Sequence, residues 1–576
     1  MADGAVRPVD PVTAPDAPLG VLFAVRSAAA LHRLLDLLPV FDGDARVRCR
    51  FTLVPGSAFD ADALAAVASS GARCLSWPEA LAGRHDLILT ASPKGELAAL
   101  RGPKVLLPHG AGFNKALAEE GSPHLPSGLD PAFLLTPDRR PLADLHALAH
   151  PDQVHRLAEQ CPPAGAAALV AGDPTLDRIL ASRNRREAFR SALGTGPRRL
   201  VVLSSTWGPE SLLARHPGLP SRLADRLPHD AYQLALVVHP NEYSRTGSFD
   251  LARQLRPALD AGLVLAGPYE QWAALLVAGD TVVTDHGSTA LYAAALDRPV
   301  VAVCDGGTEL VPGSPMARLL AAAPRLDPSG DDAAAVLAAQ PSAPGTRRFA
   351  EAAFALPGEA LATLGPELYK LLGLVPLPRP AQPRPLAAPP SAPRTPAAFA
   401  VRARTEPAEP TGRTGDGSVV VDIDRLPPWT DLPYHHLAAE FGRAGIREAQ
   451  SAALLYRRAN SAPTPDTAHH HEYRTAADWT AEALADHPGC RTAAVVLSPT
   501  RCLVRRPNSA PFTVRIDPHR TTGRVRYTDP AAALSAVHTL LGTQQAPATT
   551  LTCRIDGTPY RLHLDTATEA DLQHLL

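Results

Sequence analysis

Between residues 20 and 303 the chain repeats one pattern: a short apolar run, a turn rich in glycine and hydroxyl residues, then an amphipathic stretch. The runs at 20–25, 47–54, 72–75, 85–90 and 104–107 predict buried strands, with helices at 28–38 and 61–69 between them. A second series of strands follows at 199–203, 232–238, 262–265, 281–284 and 300–303. Strands that are apolar on both faces belong to parallel sheets covered by helices. The pattern therefore predicts two Rossmann-like α/β domains, at residues 19–165 and 166–375, with 347–372 closing the second.

Outside these domains the pattern changes. Residues 1–18 are rich in Pro, Asp and Ala and lack any period, which predicts a disordered leader. Residues 376–417 are dense in proline and cannot build a core, so they are expected to form an extended linker. From 418 to 576 the hydrophobic pattern resumes and predicts an α+β domain. Its strands are expected at 419–423, 493–497, 512–516, 523–527, 550–555 and 560–564, and its helices at 432–441, 446–458, 475–487 and 530–541.

Composition narrows the function. With 56 Lys+Arg against 58 Asp+Glu the formal charge is -2, which argues against nucleic acid as a partner. The seven cysteines are scattered and odd in number, with no CxxC pair, as expected of free thiols in a reducing compartment. No apolar run is long enough for a membrane span, and the N-terminus lacks the basic and apolar regions of a signal peptide. A cytoplasmic protein with at most peripheral membrane contact is expected. The run His469, His470, His471 and Glu472 is read as an exposed loop and not as a metal site, because adjacent residues point in different directions.

The candidate chemistry lies where strands end. Ligands of open parallel sheets bind outside the carboxyl ends of the strands. In the second domain those ends carry Ser205, Thr206 and Trp207; His239; Gly267 and Tyr269; and the turn Asp285, His286, Gly287, Ser288, Thr289. Hydroxyls and backbone N–H groups there could hold an anionic group, and Tyr269 could hold a planar base; ordinary N-capping is the competing reading of Ser288 and Thr289. In the first domain His109, followed by Gly110, stands at such an end and could take a proton near neutral pH, or could simply satisfy its own loop.

Taken in order, these motifs resemble the CDP-glycerol glycerophosphotransferase family over residues 85–305. The matching motifs are His109-Gly110, Gly172-Asp173-Pro174, Thr206-Trp207, His239-Pro240 and Thr284-Asp285 with Ser288. Trp207 is followed by Gly208 where that family has arginine, and His286 and Gly287 stand where it has tyrosine and serine. The resemblance implies a GT-B fold of two facing Rossmann-like domains, with acceptor and nucleotide-donor sides and no cofactor or metal. It further implies His109 as general base, His239 as hydrogen-bond donor to the phosphoryl group and Asp285 as an orienting residue. Ser205, Thr206, Trp207, Gly267, Tyr269, Gly287, Ser288 and Thr289 would contact the donor. The expected partners are a nucleotide-activated small molecule and an acceptor hydroxyl on a compound or polymer, with the C-terminal domain free to bind a protein. The same motifs are similar to UDP-N-acetylglucosamine 2-epimerases and other GT-B transferases. A nucleotide-sugar enzyme and a degenerate GT-B binding module are therefore the alternatives.

Overall fold

The computed structural model of the chain describes residues 17–56, 67, 71–107, 110–116, 125–338, 345–393, 395–407, 419–459, 474–543 and 549–576. The leader up to residue 16, most of the helix expected at 61–69, His109, and the run His469, His470, His471 lie outside the described residues.

Seven parallel strands form the first sheet: β1 (Leu19–Val25), β2 (Val47–Leu53), β3 (Cys74–Leu75), β4 (Leu87–Thr90), β5 (Lys104–Leu106), β6 (Leu145–Leu148) and β7 (Ala168–Val170). Their order is β3-β2-β1-β4-β5-β6-β7. Five parallel strands form the second: β8 (Arg199–Ser205), β9 (Tyr232–Val238), β10 (Val264–Leu265), β11 (Thr281–Thr284) and β12 (Val300–Ala302), in the order β10-β9-β8-β11-β12. Each sheet is wound outward in both directions from its first strand. The crevice of a doubly wound sheet opens where the winding reverses, here between β1 and β4 and between β8 and β11.

The boundary between the two halves differs from the expected one in two respects. β7 lies past residue 165 yet pairs with β6 in the first sheet. The helix Ala360–Leu371, expected to close the second domain, crosses back to the first: Leu361, Leu364, Leu368 and Tyr369 pack with Val21, Phe23 and Leu31. Its apolar face matches the first core, and Tyr369 donates its hydroxyl proton to the Asp44 carboxylate (2.9 Å). The shorter helix Arg347–Glu351 stays on the second domain through Ala350.

The segment read as a free linker lies against the paired domains. Leu386 is buried in the second domain's core, and the carbonyls of Arg384, Pro385 and Leu386 accept hydrogen bonds from Arg178 and Arg185. By 398 the chain has entered a new sheet, so the expected linker overlaps a strand.

That sheet is a closed barrel. Its strands are β13 (Ala398–Pro407), β14 (Val419–Leu426), β15 (His436–Glu440), β16 (Leu454–Arg458), β17 (Thr492–Ser498), β18 (Arg501–Arg505) and β19 (Phe512–Ile516), then, after the hairpin β20 (His519–Thr521) and β21 (Arg524–Arg526), β22 (Thr550–Ile555) and β23 (Thr558–Thr566). The helix Pro530–Thr543 runs inside it. Ala532, Ala533, Leu534, Ala536, Val537 and Leu540 are fully buried against wall residues such as Phe399, Val421, Leu454 and Val504. A helix that is apolar on every side needs an enclosure, and the barrel supplies one. The C-terminal region is thus a barrel around a helix, and two expected helices give way to strands. Residues 432–441 contain β15, and the helix starting at 446 stops at Ser451 before β16. Their sheet partners overrode weak helical patterns.

Barrel and second domain are joined by an ion-pair network. Arg425 on β14 is buried and donates two hydrogen bonds to Asp230 (2.8 and 2.7 Å) and one to Asp529 (2.7 Å). Arg458 also binds Asp529 (2.8 Å). Among the described residues, no helix is long and apolar enough to cross a membrane.

Candidate active site between the paired sheets

A cavity of about 230 Å³ lies between the two α/β domains. From the second sheet it is lined by the residues at and after the ends of β8 (Ser205, Thr206, Trp207), β9 (His239, Asn241), β10 (Gly267, Tyr269) and β11 (His286, Gly287, Ser288, Thr289). From the first it takes His32 and Arg33 on the helix Ala28–Leu35 and the loop Gly112 to Lys115 after β5. All eight expected donor contacts therefore face one space, and so does His239.

Two of these turns are built tightly. Gly287 is tightly placed: a Cβ would lie 3.2 Å from both the Asp285 carboxylate and Thr206, so these neighbours would have to give way. Gly110 has φ +81° and sits across the cleft, where a Cβ would lie 3.2 Å from the Ser288 hydroxyl. Gly110 thus meets the turn after β11. Ser288 is the N-cap of the helix Thr289–Ala295 by position, but it has helical φ and ψ and makes no side-chain cap. The capping reading of Ser288 fails on that geometry.

Asp285 does not line the cavity. It is fully buried, and its carboxylate accepts three backbone N–H groups, from Thr206 (2.9 Å), Leu212 (2.7 Å) and Gly287 (2.9 Å). It orients the ends of β8 and β11 and has no oxygen turned to a substrate. Ser205 is engaged as well: its hydroxyl donates to the Thr206 carbonyl (3.1 Å) and accepts from Leu213 N–H (3.1 Å).

His239 caps the helix Pro240–Thr246. Asn241 N–H donates to its Nδ1 (3.1 Å), so Nδ1 must present a lone pair and the ring proton of the neutral form resides on Nε2. The Trp207 ring lies beside it, centroids 6.2 Å apart.

Several contacts in the site were not foreseen from the sequence. His286 Nε2 lies 2.9 Å from the Glu309 carboxylate, which also binds Lys115 Nζ (3.0 Å). Lys115 donates to the Trp207 carbonyl (3.0 Å) and covers the indole face (5.3 Å). Burial alone would raise the Glu309 carboxyl, but His286 and Lys115 hold it below the usual range. Arg33 donates to the Tyr292 hydroxyl (2.7 Å), which donates to Asp173 (2.8 Å). Burial opposes the Arg33 charge, yet Tyr292, Asp173 and Asp36 outweigh it and keep the guanidinium protonated. His32 stacks on Tyr269 (5.1 Å, 18°). Glu270 is held down at about 2, chiefly by His32, whose Nδ1 lies 3.6 Å from its carboxylate, with Arg178 adding to it against burial.

The two domains also touch directly. Ala116 N–H donates to the Glu309 carbonyl (2.8 Å), Val311 N–H to the Asn114 carbonyl (3.0 Å), and Met316 N–H to Asn114 Oδ1 (3.3 Å).

Neither a family model nor a curated protein matches the sequence. Solved structures similar to the chain include the wall teichoic acid polymerase TagF, at 12% identity over 62% of this chain and 89% of that one, with a TM-score of 0.43. They also include the S. aureus MnaA–UDP complex, at 12% identity over 62% and 98% of the two chains, TM-score 0.42. A UDP-N-acetylglucosamine 2-epimerase is similar at 15% identity over 64% and 100%, TM-score 0.39. At such identities and scores the chemistry of the site has to be argued from its own geometry.

Proposed function

We propose that the chain is a GT-B-type transferase that moves a group from a nucleotide-activated donor to an acceptor hydroxyl. In its finer form, the group is a glycerophosphoryl or similar unit and the donor is CDP-glycerol-like. The observation that carries this reading is His239: its Nε2–H is fixed in a cavity that also holds Thr206, Trp207, Tyr269, Ser288 and Thr289, all at the carboxyl ends of one parallel sheet.

In this mechanism the acceptor oxygen attacks the distal phosphorus of the donor, and the bond to the bridging oxygen breaks to release a nucleoside monophosphate. The His239 Nε2–H hydrogen-bonds the phosphoryl group as charge passes to the leaving group, stabilising the transition state. Thr206, Ser288 and Thr289 hold the phosphates, and Tyr269, stacked on His32, faces the base. His109 takes the acceptor proton from the first domain's side. Closure of the cleft keeps water from the activated phosphorus.

The epimerase alternative would bring Asp285 and Glu242 to the sugar. Asp285 is saturated by backbone N–H groups, and the Glu242 carboxylate is held by Arg245 and Thr246. That favours the transferase.

The test is to incubate the intact chain with CDP-glycerol, CDP-ribitol, UDP-sugars and GDP-sugars, following thermal shift and released nucleotide. Release of CMP is the expected result. Release of UDP or GDP alone would replace the finer reading with glycosyl transfer, and no release or shift with any donor would leave a binding module.

A further inference from the structure

A cluster of three histidines lies in the barrel, outside the cleft. His435 and His436 stand at the start of β15 on the barrel wall, and His538 is carried by the enclosed helix. One ring nitrogen from each lies within 4.8 Å of the other two. The Nδ1 atoms of His435 and His436 are 3.0 Å apart, and the His436 and His538 rings have centroids at 4.4 Å.

Two features separate this cluster from chance packing. His436 is only 4% exposed, and its Nε2 has no hydrogen-bond partner. A buried ring nitrogen left unpaired is costly unless something coordinates it. His538 Nδ1 is hydrogen-bonded to the buried Thr492 hydroxyl (2.8 Å). When that Nδ1 is the donor, Nε2 presents its lone pair, the arrangement that orients a metal-binding imidazole.

We propose that His435, His436 and His538 form a binding site for one zinc-class divalent cation, set between the barrel wall and the helix it encloses. Ligands about 2.0–2.1 Å from one ion stand roughly 3.3 Å apart, so the cluster must tighten. The widest ring pair, at 6.2 Å, involves the exposed His435, whose side chain can turn. Three protein ligands leave the fourth position open on the solvent side, next to a second cavity lined by Arg402, Arg404, Tyr434 and His435. The ion would staple the enclosed helix to the wall, in a part of the chain that the transfer reaction does not use.

The experiment is equilibrium dialysis of the full chain, stripped with chelator, against zinc, with cobalt as the spectroscopic probe. About one equivalent of zinc and the visible bands of four-coordinate cobalt are expected. His435→Ala, at an exposed ring, should weaken binding at least ~10-fold with an unchanged circular dichroism spectrum. The triple variant His469→Ala, His470→Ala, His471→Ala controls for the other histidine run and should bind as the intact chain does. The proposal falls if the intact chain binds no zinc, if His435→Ala binds with unchanged affinity, or if the triple variant loses binding.

Discussion

At His239 the ring is fixed from behind, because the backbone N–H of Asn241 occupies Nδ1 and leaves Nε2–H directed by the cap. Removing that donor should cost transition-state stabilisation of the size seen for a single oxyanion donor, so His239→Ala should lower kcat by ~10²–10³-fold. The same change removes a helix cap, worth roughly 0.5–2 kcal/mol. Steady-state kinetics run beside a melting curve will separate the two effects, and an unchanged kcat would remove His239 from the chemistry. The residues flanking β8, β9, β10 and β11 could be read in the sequence because each ends an apolar run with a polar turn. Lys115 and Glu309 could not: they meet only when two separately folded domains close on each other. The same holds for Arg33 and Tyr292, which are 259 residues apart. Asp285 could be found but its part is indirect, since three backbone donors use up its oxygens.

Among the elements, β14 carries the junction between barrel and second domain. Arg425, itself buried, neutralises Asp230 and, with Arg458, Asp529, three partners that are only partly exposed. Arg425→Met keeps most of the volume but strands the Asp230 charge. A loss of about 3–5 kcal/mol is expected, measured by urea unfolding, because a broken buried pair leaves an uncompensated charge. A loss below about 1 kcal/mol would mean that water reaches the junction. Strands of the paired domains were legible because continuous apolar runs suit strands buried on both faces. The barrel was less so: β15 and β16 are short, and their pattern resembles a helix until their neighbours in the sheet are known. The helix Pro530–Thr543 was found, but its enclosure was not, since being apolar all round says that a helix is buried and not by what.

For the whole molecule, acid is the condition that reaches both α/β domains. Burial pushes His146 and His229 down to about 4. An unfolded chain would protonate these rings near 6.5, whereas the fold keeps them neutral. Their contribution is therefore constant above about pH 6.5. Stability falls as pH drops from there towards about 4, by up to ~1.4 kcal/mol per pH unit for each ring. Urea midpoints at about pH 7.5 and about pH 5.5 should differ, with the lower midpoint in acid; equal midpoints would show that the rings take up protons without unfolding. The segment crossing from the last helix of the paired domains to β13 has a different consequence. Leu386 lines the cavity and its carbonyl binds Arg185, while Arg178 reaches from Asp36 of the first domain to the carbonyls of Arg384 and Pro385. The smallest stretch of chain that owns the whole cavity wall therefore runs past the final α/β helix to at least Leu386. A protease cut just after that helix would remove part of the site while sparing every strand and helix of the two sheets.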